Sequence, residues 1–131
     1  MSQENVEIVR HTYAAFERGD LSAALDNADP DLVTYRADPE ARTWHGHDGF
    51  LQAFADWTEG FDEFRATAKE FIDAGDRVVV IERLVGKGKG SGIEVEQIYA
   101  AIWTVRDGRV VRIEIGRTDP REALEALGLS G

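Results

Sequence analysis

Apolar positions recur at helical spacing early in the chain and switch to alternation after about residue 60. Val6, Val9, Tyr13 and Phe16, with Ile8 and Thr12 alongside, predict a first helix. Ser2 can cap its start and Gly19 can end it. Asp20 caps a short second helix from Leu21 to about Asn27, with Leu21, Ala24, Leu25 and Ala28 on one side. Asp29-Pro30-Asp31 reads as a turn, and Leu32 to Tyr35 as a short strand. A loop containing Pro39 follows and ends in Trp44-His45-Gly46-His47-Asp48-Gly49-Phe50. Phe50, Leu51, Phe54, Ala55 and Trp57 predict a third helix, closed by Gly60.

Strand patterns follow. Phe64 to Ile72 and Arg77 to Val85 flank the turn Asp73-Ala74-Gly75-Asp76. The Gly/Lys loop from Gly86 to Gly92 leads into Ile93 to Val105. Asp107-Gly108 is a strong two-residue turn signal, and Val110 to Ile115 pairs back. Asp119, Pro120 and Glu122 are placed to open a short C-terminal helix. The order predicts one α+β domain over residues 1–131, with three N-terminal helices packed on one face of a curved, mostly antiparallel sheet. The last strands look apolar on both sides: Tyr99 and Trp103 on one face lie opposite Ile98 and Ile102 on the other. A second copy of the chain is the simplest cover for the face the helices leave bare, so a homodimer is expected.

Composition narrows the classes. The 131 residues are 43% hydrophobic, enough for one core. A formal charge of -10 repels phosphate backbones and argues against nucleic-acid binding. The absence of cysteine excludes disulfides and thiolate chemistry. No apolar run approaches the ~20 residues of a membrane span, and the polar, acidic start MSQENVE is unlike a signal peptide. A cytoplasmic protein without a membrane partner is expected.

Several motifs resemble the nuclear transport factor 2-like superfamily, and within it the SnoaL-like branch of small bacterial proteins. They are Tyr13-x-x-Phe16-x-x-Gly19-Asp20-Leu21, Gly46-x-x-Gly49-Phe50, Gly75-Asp76-Arg77-Val78-Val79, Val95-Glu96-Gln97, and the run from Trp103 to Val110. Their order and spacing cover almost the whole chain. The resemblance implies a cone-shaped α+β fold, usually dimeric, with a pocket between the concave face of the sheet and the helices. It does not imply one reaction, because members include isomerases, cyclases, hydrolases, dehydratases and non-enzymatic binding modules.

His45 and His47 lie two apart in a non-helical segment, and His11 sits on a distant helix, so no metal site is expected. Turn plus helix start is the favoured reading of that segment, with His45 bordering the pocket mouth. In Gly86-Lys87-Gly88-Lys89-Gly90-Ser91-Gly92 each lysine is followed by glycine and a strand comes next, which suits a hairpin loop and not a phosphate loop. Glu94 and Glu96 alternate along a strand and read as solvated. No cofactor is expected. The steroid isomerase of the superfamily uses an Asp base with a Tyr and a protonated Asp as oxyanion donors. By the resemblance those positions fall on Arg36, Thr12 (next to Tyr13) and Ala101, so that set is missing.

The expected pocket wall comprises Tyr13, Phe16, Phe54 and Trp57 from the helices, with Tyr35, Tyr99, Trp103 and Ile113 from the strands. Gln97 and Arg117 are expected at opposite ends of the cleft, with Arg83 joining them as a forked donor for a carboxylate, enolate or phenolate. The ordinary alternative for Arg83 and Glu82 is an ion pair or a place near a dimer interface. Glu70 is an alternative partner for Arg83. Two functions from different classes follow. The first is binding of a small, mostly apolar or anionic-apolar molecule without chemistry. The second is an isomerase, cyclase or hydrolase in which Arg83, Gln97 or Arg117 polarises an oxygen and Tyr35, His45 or Glu70 moves a proton. A dimeric association module with a filled core is a third reading.

Overall fold

The structure, a computed structural model, describes residues 2–36, 41–117 and 121; the side chains of Ser2, Gly116 and Arg117 are outside the description. Three helices, α1 (Ser2–Glu17), α2 (Leu21–Ala24) and α3 (Gly46–Thr58), are combined with six strands. These are β1 (Ala28–Arg36), β2 (Arg42–His45), β3 (Phe61–Ala74), β4 (Arg77–Gly88), β5 (Glu94–Arg106) and β6 (Arg109–Arg117). They form one sheet in the order β2-β1-β6-β5-β4-β3, with every pairing antiparallel except that of β1 with β6. The α+β architecture with helices against one face of the sheet agrees with the pattern of the sequence.

Local chemistry explains the elements. Asp20 caps α2 by accepting from the Ala23 N–H at 3.0 Å. Gly19, at φ +75°, supplies the left-handed residue that ends the preceding helix. Asp107 and Gly108 both have positive φ, the geometry of a type I′ hairpin between β5 and β6.

Three expectations are corrected. Asp29-Pro30-Asp31 is not a separate turn but an irregular part of β1, where the register against β6 shifts between Ala28 and Val33. The second helix stops at Ala24, because the chain turns through residues 25–27 to start β1. Arg42 to His45 is a short strand paired with the end of β1, where a loop was expected. Pro39 and the C-terminal helix fall outside the described residues, apart from Arg121.

The core lies between the helices and the concave face. Val6, Val9 and Tyr13 of α1 and Phe50 of α3 pack on Val78, Val80, Ala101, Trp103 and Ile113. On the other face Val79, Ala100 and Ile102 form a smaller cluster, covered in part by Ile72 and Ile81. The paired register fixes these faces. Val78, Val80 and Glu82 of β4 stand beside Trp103, Ala101 and Tyr99 of β5, while Val79, Ile81 and Arg83 stand beside Ile102, Ala100 and Ile98.

Candidate functional site

A cavity of about 700 Å³ opens between the concave face and the helices. Tyr13 and Phe16 of α1, Phe50, Phe54 and Trp57 of α3, Phe64 of β3, Trp103 of β5 and Ile113 and Ile115 of β6 line it. The aromatic wall is continuous. Phe16 stacks on Phe54 at 5.7 Å between centroids, Phe54 meets Phe64 edge-on, and Phe64 meets Trp57. Such a wall offers apolar contact to a flat or lipophilic molecule.

One buried carboxyl lies beside this aromatic wall. Glu82 lines the cavity and is only 6% exposed. Burial pushes its pKa up from 4.5 to about 7, against the smaller opposing effect of a hydrogen bond with Tyr13. Tyr13 is itself buried, and its hydroxyl accepts from the Trp103 Nε1–H at 3.0 Å. Burial, and then the nearby Glu82, drive the tyrosine pKa well above its ordinary value, so its hydroxyl keeps its proton and donates toward Glu82. Indole, phenol and carboxyl thus form a directed relay, in which Trp103 and Tyr13 orient the one group that titrates near neutrality.

Sequence reasoning missed Glu82 as a site residue and treated it as an ordinary charge beside Arg83. The available signal was its place in β4, one residue from Arg83 and on the same face as Val78 and Val80. Nothing in the sequence of that strand marks which of its faces is concave.

The expected residues divide. Tyr13, Phe16, Phe54, Trp57, Trp103 and Ile113 do line the cavity. Tyr99 is on the same face and meets Trp57 edge-on, but its hydroxyl donates to Gln97 Oε1 at 2.9 Å and neither residue lines the cavity. Arg83 points to the opposite face and pairs with Glu96 at 2.8 Å, not with Glu70. Glu70 is exposed beside Ile81 on that outer face. Tyr35 also faces outward, under the Arg112 guanidinium. Strand alternation explains Arg83 and Tyr35, each one position out of phase with the inward-facing Glu82 and Thr34, and the register shift between Ala68 and Glu70 turns Glu70 outward. His45 is exposed at the N-cap of α3 without a side-chain cap bond. Arg117 lies opposite Ala100 in the sheet, and its side chain is outside the description.

The Trp44–Phe50 segment is structural. Trp44 is buried, Gly46 opens α3, and His47 Nε2 donates to the Ala28 carbonyl at 3.0 Å, tying the helix start to β1. Among the described residues no group of three His, Asp or Glu gathers to hold a metal. The Gly/Lys segment forms the β4–β5 hairpin, where Gly90 and Gly92 take positive φ.

Helices packed on one face of a curved six-stranded sheet define the fold class of the chain, an α+β cone. The chain belongs to the SnoaL-like domain family, whose model matches residues 9–113. Solved structures agree. A nuclear transport factor 2-like protein of unknown function from Burkholderia pseudomallei is 27% identical, with 95% of this chain and 97% of that one covered and a TM-score of 0.77. A nuclear transport factor 2-like protein from Burkholderia thailandensis is 27% identical over 93% and 95% of the two chains, with a TM-score of 0.78. TerC, co-crystallized with polyporic acid, is 26% identical over 95% and 98%, with a TM-score of 0.76. No curated protein matches the sequence. Among the described residues no helix is long and apolar enough to cross a membrane.

Proposed function

We propose that the protein binds a small, largely apolar molecule in the cavity and moves a proton on it with Glu82. The observation that carries this reading is a buried carboxyl that lines the cavity beside its aromatic wall, with its pKa pushed up to about 7. A group poised there exists in both forms near neutrality, as a general acid or base requires. The acid position of the steroid-isomerase set falls on Ala101, which is paired with Val80. Glu82 stands two residues further along the same strand as Val80 and supplies a carboxyl to the same face. Tyr13 and Trp103 are positioning residues: they hold the carboxylate and leave the remaining lone pairs of Glu82 for substrate. The ligand of TerC supports a small-molecule occupant for the cavity.

The reaction class is proton transfer at a carbon or oxygen made acidic by a neighbouring carbonyl, as in an isomerase or cyclase. Deuterium exchange tests it even where the product is unidentified. Lipophilic ketones and phenols that raise the melting temperature are incubated in deuterium oxide and followed by NMR. The wild type is expected to accelerate exchange at the acidic position, and Glu82→Gln to bind the same compounds without doing so. Binding with no acceleration by the wild type would leave a non-catalytic carrier, in which Glu82 only donates a hydrogen bond.

A second copy of the chain is proposed to cover the outer face of the sheet. The small apolar cluster of Val79, Ala100 and Ile102, continued by exposed Ile98, supports this.

A further inference from the structure

One polar group of the cavity wall has no use within the fold. Thr34, on the inward face of β1, lines the cavity and is 1% exposed, and its Oγ1 has no hydrogen-bond partner among the described residues. Its surroundings are apolar. Across the sheet Thr34 stands between Trp44 of β2 and Ile113 of β6, both buried, and the inward position before it on β1 is the fully buried Leu32. The other buried hydroxyl at the cavity, that of Tyr13, is engaged by Trp103 and Glu82. Among the described residues the other orphaned buried atom is Arg36 Nε, but that guanidinium already donates to Asp56 at 2.6 Å and does not line the cavity. A buried hydroxyl without a partner costs free energy that a valine of the same shape would not. Where that hydroxyl opens on a cavity, its proton and its lone pairs are free for a bound molecule.

We propose that Thr34 is a specificity-determining residue, whose hydroxyl binds a neutral oxygen group, a hydroxyl or a carbonyl, at the end of the substrate remote from Glu82. This rests on the reading of the cavity as a substrate site. The sheet sets the two ends apart. Thr34 is paired with Ile113 of β6, Ile113 with Trp103 of β5, and Trp103 with Val78 of β4, so this row reaches β4 four residues from Glu82. Three strand spacings of about 4.8 Å, and four residues at about 3.3 Å each, separate the two positions along the sheet. Curvature shortens the direct path, but a compact fragment does not reach both. The substrate is therefore elongated, with its reacting carbonyl end at Glu82, an apolar body along the aromatic wall, and an oxygen at the far end. Threonine carries no charge to offset a buried anion, so that oxygen group is neutral.

Calorimetric titration with two acetylbiphenyls tests this, one with a hydroxyl and one with a methyl group at the far end of the second ring. The wild type is expected to prefer the hydroxyl compound by about tenfold, the worth of one hydrogen bond to a group otherwise left unpaired. Thr34→Ser should keep that preference. Thr34→Val should lose it, and the free variant should melt no lower than the wild type. A lower melting temperature would mean that Oγ1 already has a partner in the free fold, and overturns the proposal. Equal binding of the two compounds by the wild type overturns it but leaves the cavity as a substrate site, as does a preference that survives in Thr34→Val. Deuterium exchange at the acetyl methyl separates the two readings: no exchange, beside a preference that depends on Thr34, sinks the role of Glu82 and leaves that of Thr34. Binding of neither compound overturns both.

Discussion

The Trp103 indole donates to the Tyr13 hydroxyl at 3.0 Å, across 90 residues of sequence. This bond joins the first helix to the fifth strand at the point where both meet the buried carboxyl of Glu82. A phenol that accepts from indole has its own proton free to donate, and it donates to that carboxyl. The one group that titrates near neutrality is therefore oriented by buried neighbours that do not titrate there themselves.

Glu82 makes stability depend on pH in a definite direction. In the folded chain it holds its proton up to about pH 7, whereas its ordinary value is 4.5. The stabilisation from this raised affinity is fully present below pH 4.5 and is lost as the pH rises through 7. Relative to Glu82→Gln, the wild type is expected to lose about 3 kcal/mol across that window. Urea unfolding of both proteins, followed from the acid side of that window to its alkaline side, measures it. Parallel curves would mean that Glu82 is solvated.

Replacing Tyr13 with phenylalanine removes the acceptor of the Trp103 Nε1–H and the hydrogen bond that holds the Glu82 pKa down. A stability loss of about 1–3 kcal/mol is expected from the orphaned indole donor. The midpoint of the exchange-rate pH profile is expected to move above 7. An unmoved midpoint would show that Tyr13 does not touch the titrating group.

At the start of α3, a Cβ added to Gly49 would stand 3.0 Å from the Trp44 Cβ and 3.1 Å from its backbone carbonyl carbon. Backbone cannot yield cheaply, so Gly49→Ala is expected to destabilise the fold by about 1–3 kcal/mol. Thermal unfolding checks this, and a variant as stable as the wild type would show that β2 is free to shift.

For the outer face, light scattering is expected to give twice the mass of one chain. Ile98 is 39% exposed there, so Ile98→Glu should shift the equilibrium toward monomer by placing a charge in the apolar contact. A monomeric wild type would remove the proposed interface.

Much of the fold was legible because it is written in local periods. Tyr13 and Phe16 mark one helical face, Asp20 marks a cap, and Asp107-Gly108 marks a hairpin whose positive φ values only Gly and Asx residues accept readily. The aromatic half of the cavity was legible for the same reason, since Phe16, Phe54 and Trp57 repeat on the inner faces of two helices. The polar half was not. Val78, Val79 and Val80 are all fully buried, so the strand that carries Glu82 and Arg83 shows no alternation to tell its faces apart. Periodicity established that these two neighbours point to opposite sides of the sheet. Which of them entered the cavity depended on the direction of sheet curvature and on the side where α1 and α3 pack. Those are relations between elements distant in the chain, and they made Glu82 the buried acid while leaving Arg83 in solvent beside Glu96.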